Sequence, residues 1–318
     1  MNPLSTIFGA AVQTRNTLYD RGILKSRRLR APVISIGNIS VGGSGKTPFV
    51  IMLGELLKAR GIHFDVLSRG YGRKTRGAAV VQANGSPAEF GDEPLLIAQR
   101  LGAPVIVGES RFEAGLLAER NSIPQLHLLD DGFQHRALHR DFDIVLLTAE
   151  DANGKLLPAG RLREPHSSLQ RADAVVLAGN AEAELFPLHH KFIWRLHRGV
   201  TVRDVPPHPL VFCGIARPQA FISQLEELGI KPSGTVFFRD HHSYNAKDVQ
   251  RLLQAAERYK SAGFIATEKD ALNLGDLRNT LQPLSVARVT MELGNAADAV
   301  DTMLRVAAEH RSPGVRQS

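Results

Sequence analysis

The 318-residue chain has a single cysteine, Cys213, which excludes an intrachain disulfide and a cysteine-rich zinc site. No run of 18 apolar residues occurs, so no membrane-crossing helix is expected. The stretch from Met1 to Val12 lacks the basic start and long apolar centre of a secretory signal. There is no internal repeat and no low-complexity segment. These absences favour the cytoplasm. What remains is ordinary globular composition, 43% hydrophobic and 22% charged.

Acidic residues are scarce at one end. The net charge is +7, and residues 1–30 hold Arg15, Arg21, Lys25, Arg27, Arg28 and Arg30 against Asp20 alone, so five of the seven net charges fall there. A basic balance suits nucleic acid, anionic lipid or phosphorylated substrates without choosing among them. Ahead of the basic cluster, Leu4, Ile7, Phe8, Ala11 and Val12 fall on one face of a helix that Asn2 and Pro3 can start. On pattern alone, packing on the protein's own core is the usual fate of such a stripe. The following cations shift the expectation toward a helix lying in an anionic bilayer surface.

From Ala31 onward short apolar strands alternate with helices. Strands are expected at 32–36, 64–67, 104–107, 126–129 and 142–147, with helices at 46–60, 91–101 and 111–120. That is the signature of a parallel sheet covered on both faces. A Gly-, Pro- and charge-rich stretch near 151–171 interrupts it. A second set of strands and helices runs from Leu210 to Met291. The expected organisation is an N-terminal helix over 1–30, a P-loop nucleotide-binding domain over 31–150, a connection over 151–205 and a smaller C-terminal α/β domain over 206–318.

The first strand runs into Ser40-Val41-Gly42-Gly43-Ser44-Gly45-Lys46-Thr47 at the head of a helix. Small residues let backbone N–H groups point at phosphate oxygens, and the helix N-terminus adds partial positive charge. Lys46 can reach the β- and γ-phosphates, and the Thr47 hydroxyl can bind Mg²⁺. Ser40 stands where the motif usually has its first glycine. A base-reading Asn/Thr-Lys-x-Asp of GTPases is not met, because Thr267-Glu268-Lys269-Asp270 has its lysine one place late. Val41 occupies the position of the second lysine of partitioning-type ATPases.

Leu126-His127-Leu128-Leu129-Asp130-Asp131 is an apolar strand ending in two carboxylates, at the end of a parallel strand where ligands bind. Either could hold Mg²⁺ as a Walker B aspartate or simply cap a turn. Gln134 and His135 follow closely. Asp92 in Gly91-Asp92-Glu93-Pro94 reads, by itself, as a helix cap. In Asp240-His241-His242 the paired histidines hint at metal, but no further ligands are evident.

Taken in order, the segments from Gly37 to Pro48, Leu67-Ser68-Arg69-Gly70-Tyr71-Gly72, Gly91 to Pro94 and Asp130 to Arg136 resemble the tetraacyldisaccharide 4'-kinases of lipid A biosynthesis. So do Leu156 to Pro165, Phe238 to His242 and Thr267 to Asp270. The resemblance implies two α/β/α lobes joined by a β-ribbon. It implies Mg²⁺-dependent transfer of the ATP γ-phosphate to the 4'-hydroxyl of a tetraacylated glucosamine disaccharide 1-phosphate. The place implied is the cytoplasmic face of a bacterial inner membrane, with no nucleic acid and no obligate protein partner. It maps an aspartate–histidine catalytic pair onto Asp92 and His241, reversing the reading of Asp92 as a mere cap. Around them the expected roles are phosphate binding by Lys46 and residues 40–47, and metal binding by Thr47 with Asp130 or Asp131, joined by Gln134 and Glu164. Arg69 and Arg163 are expected to steady transferring charge or grip the substrate phosphate. One stretch departs from the family, since Leu147 to Gly154 lacks its acidic residue and Pro-Phe-Gly-Asn-Gly turn. The competing reading is a non-kinase P-loop NTPase that drives a protein partner.

Overall fold

The structure, a computed structural model, describes residues 3–189 and 191–311. In chain order the first elements are α1 (Pro3–Asp20), β1 (Val33–Asn38), α2 (Lys46–Ala59), β2 (Phe64–Ser68), β3 (Ala79–Val80), α3 (Pro87–Phe90), α4 (Asp92–Leu101), β4 (Val105–Val107), α5 (Arg111–Asn121), β5 (Leu126–Asp130), β6 (Phe142–Thr148), α6 (Ala149–Ala152) and β7 (Ala174–Ala178). The second half adds β8 (Phe192–Thr201), β9 (Leu210–Cys213), α7 (Pro218–Glu227), β10 (Gly234–Phe237), α8 (Ala246–Arg258), β11 (Phe264–Thr267), α9 (Glu268–Leu274), β12 (Leu284–Leu293) and α10 (Ala296–Glu309).

The strands form one sheet in the order β10-β9-β11-β12-β8-β7-β6-β1-β5-β2-β4-β3. Every residue of β1, β2 and β5 is buried, as expected of parallel strands covered on both faces. Pairing is parallel except at two places. The edge strand β3 runs against β4, and the ten-residue β8 runs against β12 from Leu196–Leu293 to Thr201–Arg288. This long antiparallel ribbon joins the two parallel halves. The C-terminal ends of β1, β2 and β5 then open toward the second half of the chain.

The chain finishes in its first half. Val300, Met303 and Val306 of α10 share a buried core with Ile34, Phe49, Leu53 and Ile144. Each such fully buried side chain contributes roughly 1.5–3 kcal/mol. The last helix of the unit expected over 206–318 is thus part of the P-loop core. The strands of the second half pack their own two cores, around Phe212 and Leu252 on one face and Val211 and Leu225 on the other.

Polar contacts anchor α1, and its apolar stripe is only partly covered, with Phe8 and Val12 half-buried. Asn16 is the one buried residue of the helix and donates through Nδ2 to Glu164 Oε2 at 2.8 Å. Arg136 donates to Asn16 O at 2.9 Å and to Asp20 at 2.7 Å, and Ser5 Oγ donates to Leu156 O at 3.0 Å. Leu4 and Ile7 remain 60% and 66% exposed, and Ile23 and Leu24 beyond the helix are exposed as well. The stripe is therefore divided, with Phe8 and Val12 half-covered and Leu4, Ile7 and Ala11 turned to solvent. No helix among the described residues is long and apolar enough to cross a membrane.

Candidate active site

A cleft of 660 Å³ lies between the halves. One wall is the phosphate loop with Ser68, Arg69, Tyr71, Asp130 and Asp131; the other is made by β8, β12, α7, His241 and Lys269.

The loop is built for anion binding. Gly45, in the left-handed conformation at φ 86°, precedes α2, and no side chain caps the helix, so its first-turn N–H groups stay available. Gly37, just before the loop, is required by close approach: a Cβ there would lie 2.5 Å from Phe133 Cβ. Lys46 Nζ donates to Asn38 Oδ1 at 3.2 Å and lies 3.5 Å from Asp131 Oδ1. Asn38 Nδ2 donates to Ser44 Oγ at 2.8 Å and to Ser40 Oγ at 3.4 Å. Ser40 therefore replaces the usual glycine with a buried hydroxyl that braces the loop from below.

The two adjacent carboxylates have different surroundings. Arg163 grips Asp131 through both guanidinium Nη atoms, at 3.0 and 2.8 Å, and also donates to Asn38. Burial opposes the Asp131 charge, but Arg163 and Lys46 hold its carboxyl well below the usual range. Asp130 accepts from Ser68 Oγ at 3.1 Å, while its buried Oδ1 has no partner. Burial, reinforced by the negative charges of Glu93 and Asp131, pushes its carboxyl up to about 7. A buried acceptor with an unmet oxygen, lining the same cleft as Thr47 and the phosphate loop, fits a divalent cation. Gln134 also carries a buried oxygen without a partner, Oε1, while its Nε2 donates to Asn38 O at 2.9 Å, but unlike Asp130 it does not line the cleft. No cluster of three or more His, Cys, Asp or Glu suited to a metal occurs among the described residues. Mg²⁺ keeps several waters and nucleotide oxygens and needs only one or two carboxylates from a protein.

Glu164 is placed differently from the expectation. It is fully buried, its oxygens accept from Asn16, Arg15 and Arg171, and it does not line the cleft. Burial opposes its charge, yet Arg171 and these hydrogen bonds keep its carboxyl below the usual range. In this arrangement it ties α1 to the core. Arg163, in contrast, lines the cleft, where it faces Asp131 and Asn38. Arg69 lines the cleft, and behind it the buried Arg111 donates to Gly108 O and Glu109 O. Burial and the charges of Arg111, Arg140 and Arg69 bring the nearby His135 down to about 4.

Asp92 and His241, 149 residues apart in sequence, are hydrogen-bonded, with Nδ1 2.7 Å from Oδ2. Asp92 begins α4 behind Gly91, whose φ of 90° and tight fit (an added Cβ would lie 2.9 Å from Tyr71 O) bar a side chain. His241 sits at φ 55° in the loop after β10, and its N–H donates to Asp240 Oδ1 at 3.0 Å. The hydrogen bond that Asp92 accepts from it raises the imidazole's affinity for protons. Burial works against the Asp92 charge, but His241, then Lys269, hold its carboxyl below the usual range. His241 faces the cleft with 30% of its side chain exposed, against 7% for Asp92. The two residues come from opposite halves of the chain and are joined in this structure.

The residues that sequence reasoning missed are Asn38, Glu93 and Lys269. Asn38 lies under the loop, and Lys269 reaches Glu93 from α9. The Leu147–Gly154 stretch forms the short α6, whose Glu150 pairs with Arg161 and, at 2.7 Å, with Arg217 across the cleft.

Residues 1–308 match the family profile described as tetraacyldisaccharide-1-P 4'-kinase. The chain is 47% identical over 316 residues to the tetraacyldisaccharide 4'-kinase of Koribacter versatilis, covering 96% of this chain and 98% of that one. The Geobacter metallireducens protein of the same name is 40% identical over 314 residues, covering 91% and 92%. A crystal structure of LpxK from Aquifex aeolicus in complex with ATP superposes with a TM-score of 0.79 at 35% identity, covering 96% and 97%. The fold and the phosphate loop agree with these matches, and the chain belongs to the tetraacyldisaccharide-1-P 4'-kinase family.

Proposed function

We propose that this chain transfers the γ-phosphoryl group of ATP to the 4'-hydroxyl of a tetraacylated glucosamine disaccharide 1-phosphate, at a membrane surface. Membership of a kinase family supports the reaction class. The observation that carries the site is His241, hydrogen-bonded to the buried Asp92 and lining the same cleft as the phosphate loop. Phosphoryl transfer needs positioning and charge neutralisation more than covalent chemistry. Lys46 and the N–H groups of residues 40–47 hold the β- and γ-phosphates. Thr47, Asp130 and Gln134 would hold Mg²⁺, which neutralises phosphate charge when bound. Asp131 keeps Lys46 and Arg163 in place as their counter-ion, and Glu164 would join only by leaving Asn16 and Arg171. Arg69, with Arg111 behind it, supplies positive potential for the substrate's own phosphate. The Asp92–His241 pair takes the proton from the sugar hydroxyl. In the first reading Asp92 accepts it and His241 orients the carboxylate. The greater exposure of His241 favours a second reading, in which Nε2 meets the hydroxyl and Asp92 steadies Nδ1.

The exposed Ile7, Ile23 and Leu24, next to Arg21 and Lys25, suit a face that lies on anionic lipid. Docking there would bring the cleft to a substrate whose acyl chains stay in the bilayer. ATP consumption with and without the lipid disaccharide tests the proposal. Consumption that rises with lipid and yields phosphorylated lipid supports it. Equal consumption without lipid would favour the non-kinase NTPase.

A further inference from the structure

Two side chains, His241 and Lys269, meet the Asp92 carboxylate, and only His241 has a place in the reaction above. The other is Lys269, whose Nζ is 3.6 Å from Asp92 Oδ2, the oxygen that also meets His241, and 3.1 Å from Glu93 Oε1. Lys269 stands in the first turn of α9, where the helix dipole disfavours a cation. The helix already has its own cap: Thr267 Oγ1 accepts from Asp270 N at 3.2 Å. Nothing in α9 itself therefore calls for a lysine at 269. The side chain is also largely withdrawn from water, 23% exposed, which is costly unless the ammonium is paired. Its pairing is entirely with α4, on the opposite side of the cleft.

We propose that Lys269 is a positioning residue for the Asp92–His241 pair: its ammonium, sharing Asp92 Oδ2 with the imidazole, keeps the pair in its proton-accepting form down to lower pH. The proposal rests on the pair being the proton acceptor, in either of the two orders given above. The unprotonated pair carries one negative charge and the protonated pair none, so an adjacent cation favours the unprotonated form. The other charged groups facing the pair are Glu93, which partly offsets Lys269, and Asp240, with Oδ2 3.9 Å from His241 Nε2. The Tyr71 ring lies 5.6 Å from the imidazole and brings no charge. Lys269 depresses proton affinity at both members, consistent with this sign. The same helix grips α4 a second time, through Glu268 and Arg100 at 2.7 Å. A purely mechanical clasp is therefore the alternative to be separated.

The test is the pH profile of kcat/KM for the lipid at saturating ATP and Mg²⁺. Lys269→Met and Lys269→Gln are expected to move the acid limb up by about one pH unit, the size of a unit-charge interaction at this distance in a water-like medium. Lys269→Arg should restore the limb. Glu268→Gln, which loosens the clasp without changing charge at Asp92, should leave the limb where it is. A limb that stays in place in both neutral variants while the rate falls would overturn the proposal, as would neutral variants that both fail to fold. Asp92→Asn separates the two levels. Full activity there would remove the pair itself, whereas an inactive Asp92→Asn with an unmoved limb in Lys269→Met would remove only the role of the lysine.

Discussion

Replacing Asp92 by Asn keeps the size of the side chain and removes the charge. In the structure Asp92 Oδ2 meets His241 at 2.7 Å and Lys269 at 3.6 Å, and Oδ1 accepts the Glu93 N–H at 2.9 Å. The amide can keep the Glu93 contact through its oxygen, and Lys269 keeps Glu93, so the fold should persist. What is lost is the proton-accepting pair. General-base catalysis is worth about 10²–10⁴ in rate, or roughly 2.7–5.5 kcal/mol of barrier. Asp92→Asn and His241→Ala should each lower kcat by an amount in that range. If the two act as one unit, the double variant should fall no more than about threefold below the poorer single. Independent roles would instead multiply, to roughly 10⁴–10⁸. Single-turnover transfer from γ-labelled ATP in detergent-dispersed lipid has the range to tell these apart. Fully multiplicative losses would refute the pair. A His241→Ala loss much larger than that of Asp92→Asn would select the reading in which the imidazole meets the hydroxyl.

Lys46→Ala should leave the melting temperature nearly unchanged and reduce transfer more than tenfold, because the ammonium faces phosphate and is not part of a core; retention of a tenth of the activity would contradict this. EDTA should stop the reaction and Mg²⁺ restore it. With the Asp130 carboxyl near 7 in the metal-free site, protons compete with the cation, so the half-saturating Mg²⁺ concentration should fall as pH rises from about 6 to 8. Asp130→Asn should need more metal and lose that pH dependence, and a metal titration identical to wild type would remove Asp130 from the site. Changing Leu4 and Ile7 together to Glu leaves the Asn16–Glu164 anchor intact and should weaken sedimentation with anionic vesicles. It should also raise KM several-fold for vesicle-borne lipid and change turnover in detergent far less; unchanged vesicle binding would place the membrane contact elsewhere.

The parts of this site legible in the sequence are those set by neighbours along the chain. The phosphate loop follows from a buried strand, small residues and a helix start within fifteen positions, and Asp130-Asp131 from an apolar strand that ends in charge. Strands β1, β2, β4, β5 and β6 show as short apolar runs because both faces of a parallel sheet are buried, whereas the two-residue edge strand β3, half-buried and antiparallel, gives no such run. What was not legible depends on distant contacts. Nothing local distinguishes Asp131, held by Arg163 from 32 residues on, from Asp130 with its unmet oxygen. Glu164 looked like a metal ligand beside Arg163, but its carboxylate points to Asn16, 148 residues back. The apolar stripe of α1 could have met core or solvent, and only the polar anchors at Asn16 and Ser5 decide which face turns outward. No local signal marks the return of α10 to the first core, which is a matter of topology. Lys269 was read as part of a failed base-reading motif, since its partners on α4 lie some 176 residues away.

The most direct test of the account is the position of the transferred phosphate. The purified protein is incubated with γ-labelled ATP, Mg²⁺ and the tetraacylated disaccharide 1-phosphate, and the lipid product is analysed by phosphorus NMR. The account predicts label in the lipid as a second monoester at the 4'-position, formed by the wild type and not by Lys46→Ala. Label released as free phosphate at a rate that ignores the lipid, or a monoester at any other hydroxyl, would contradict it.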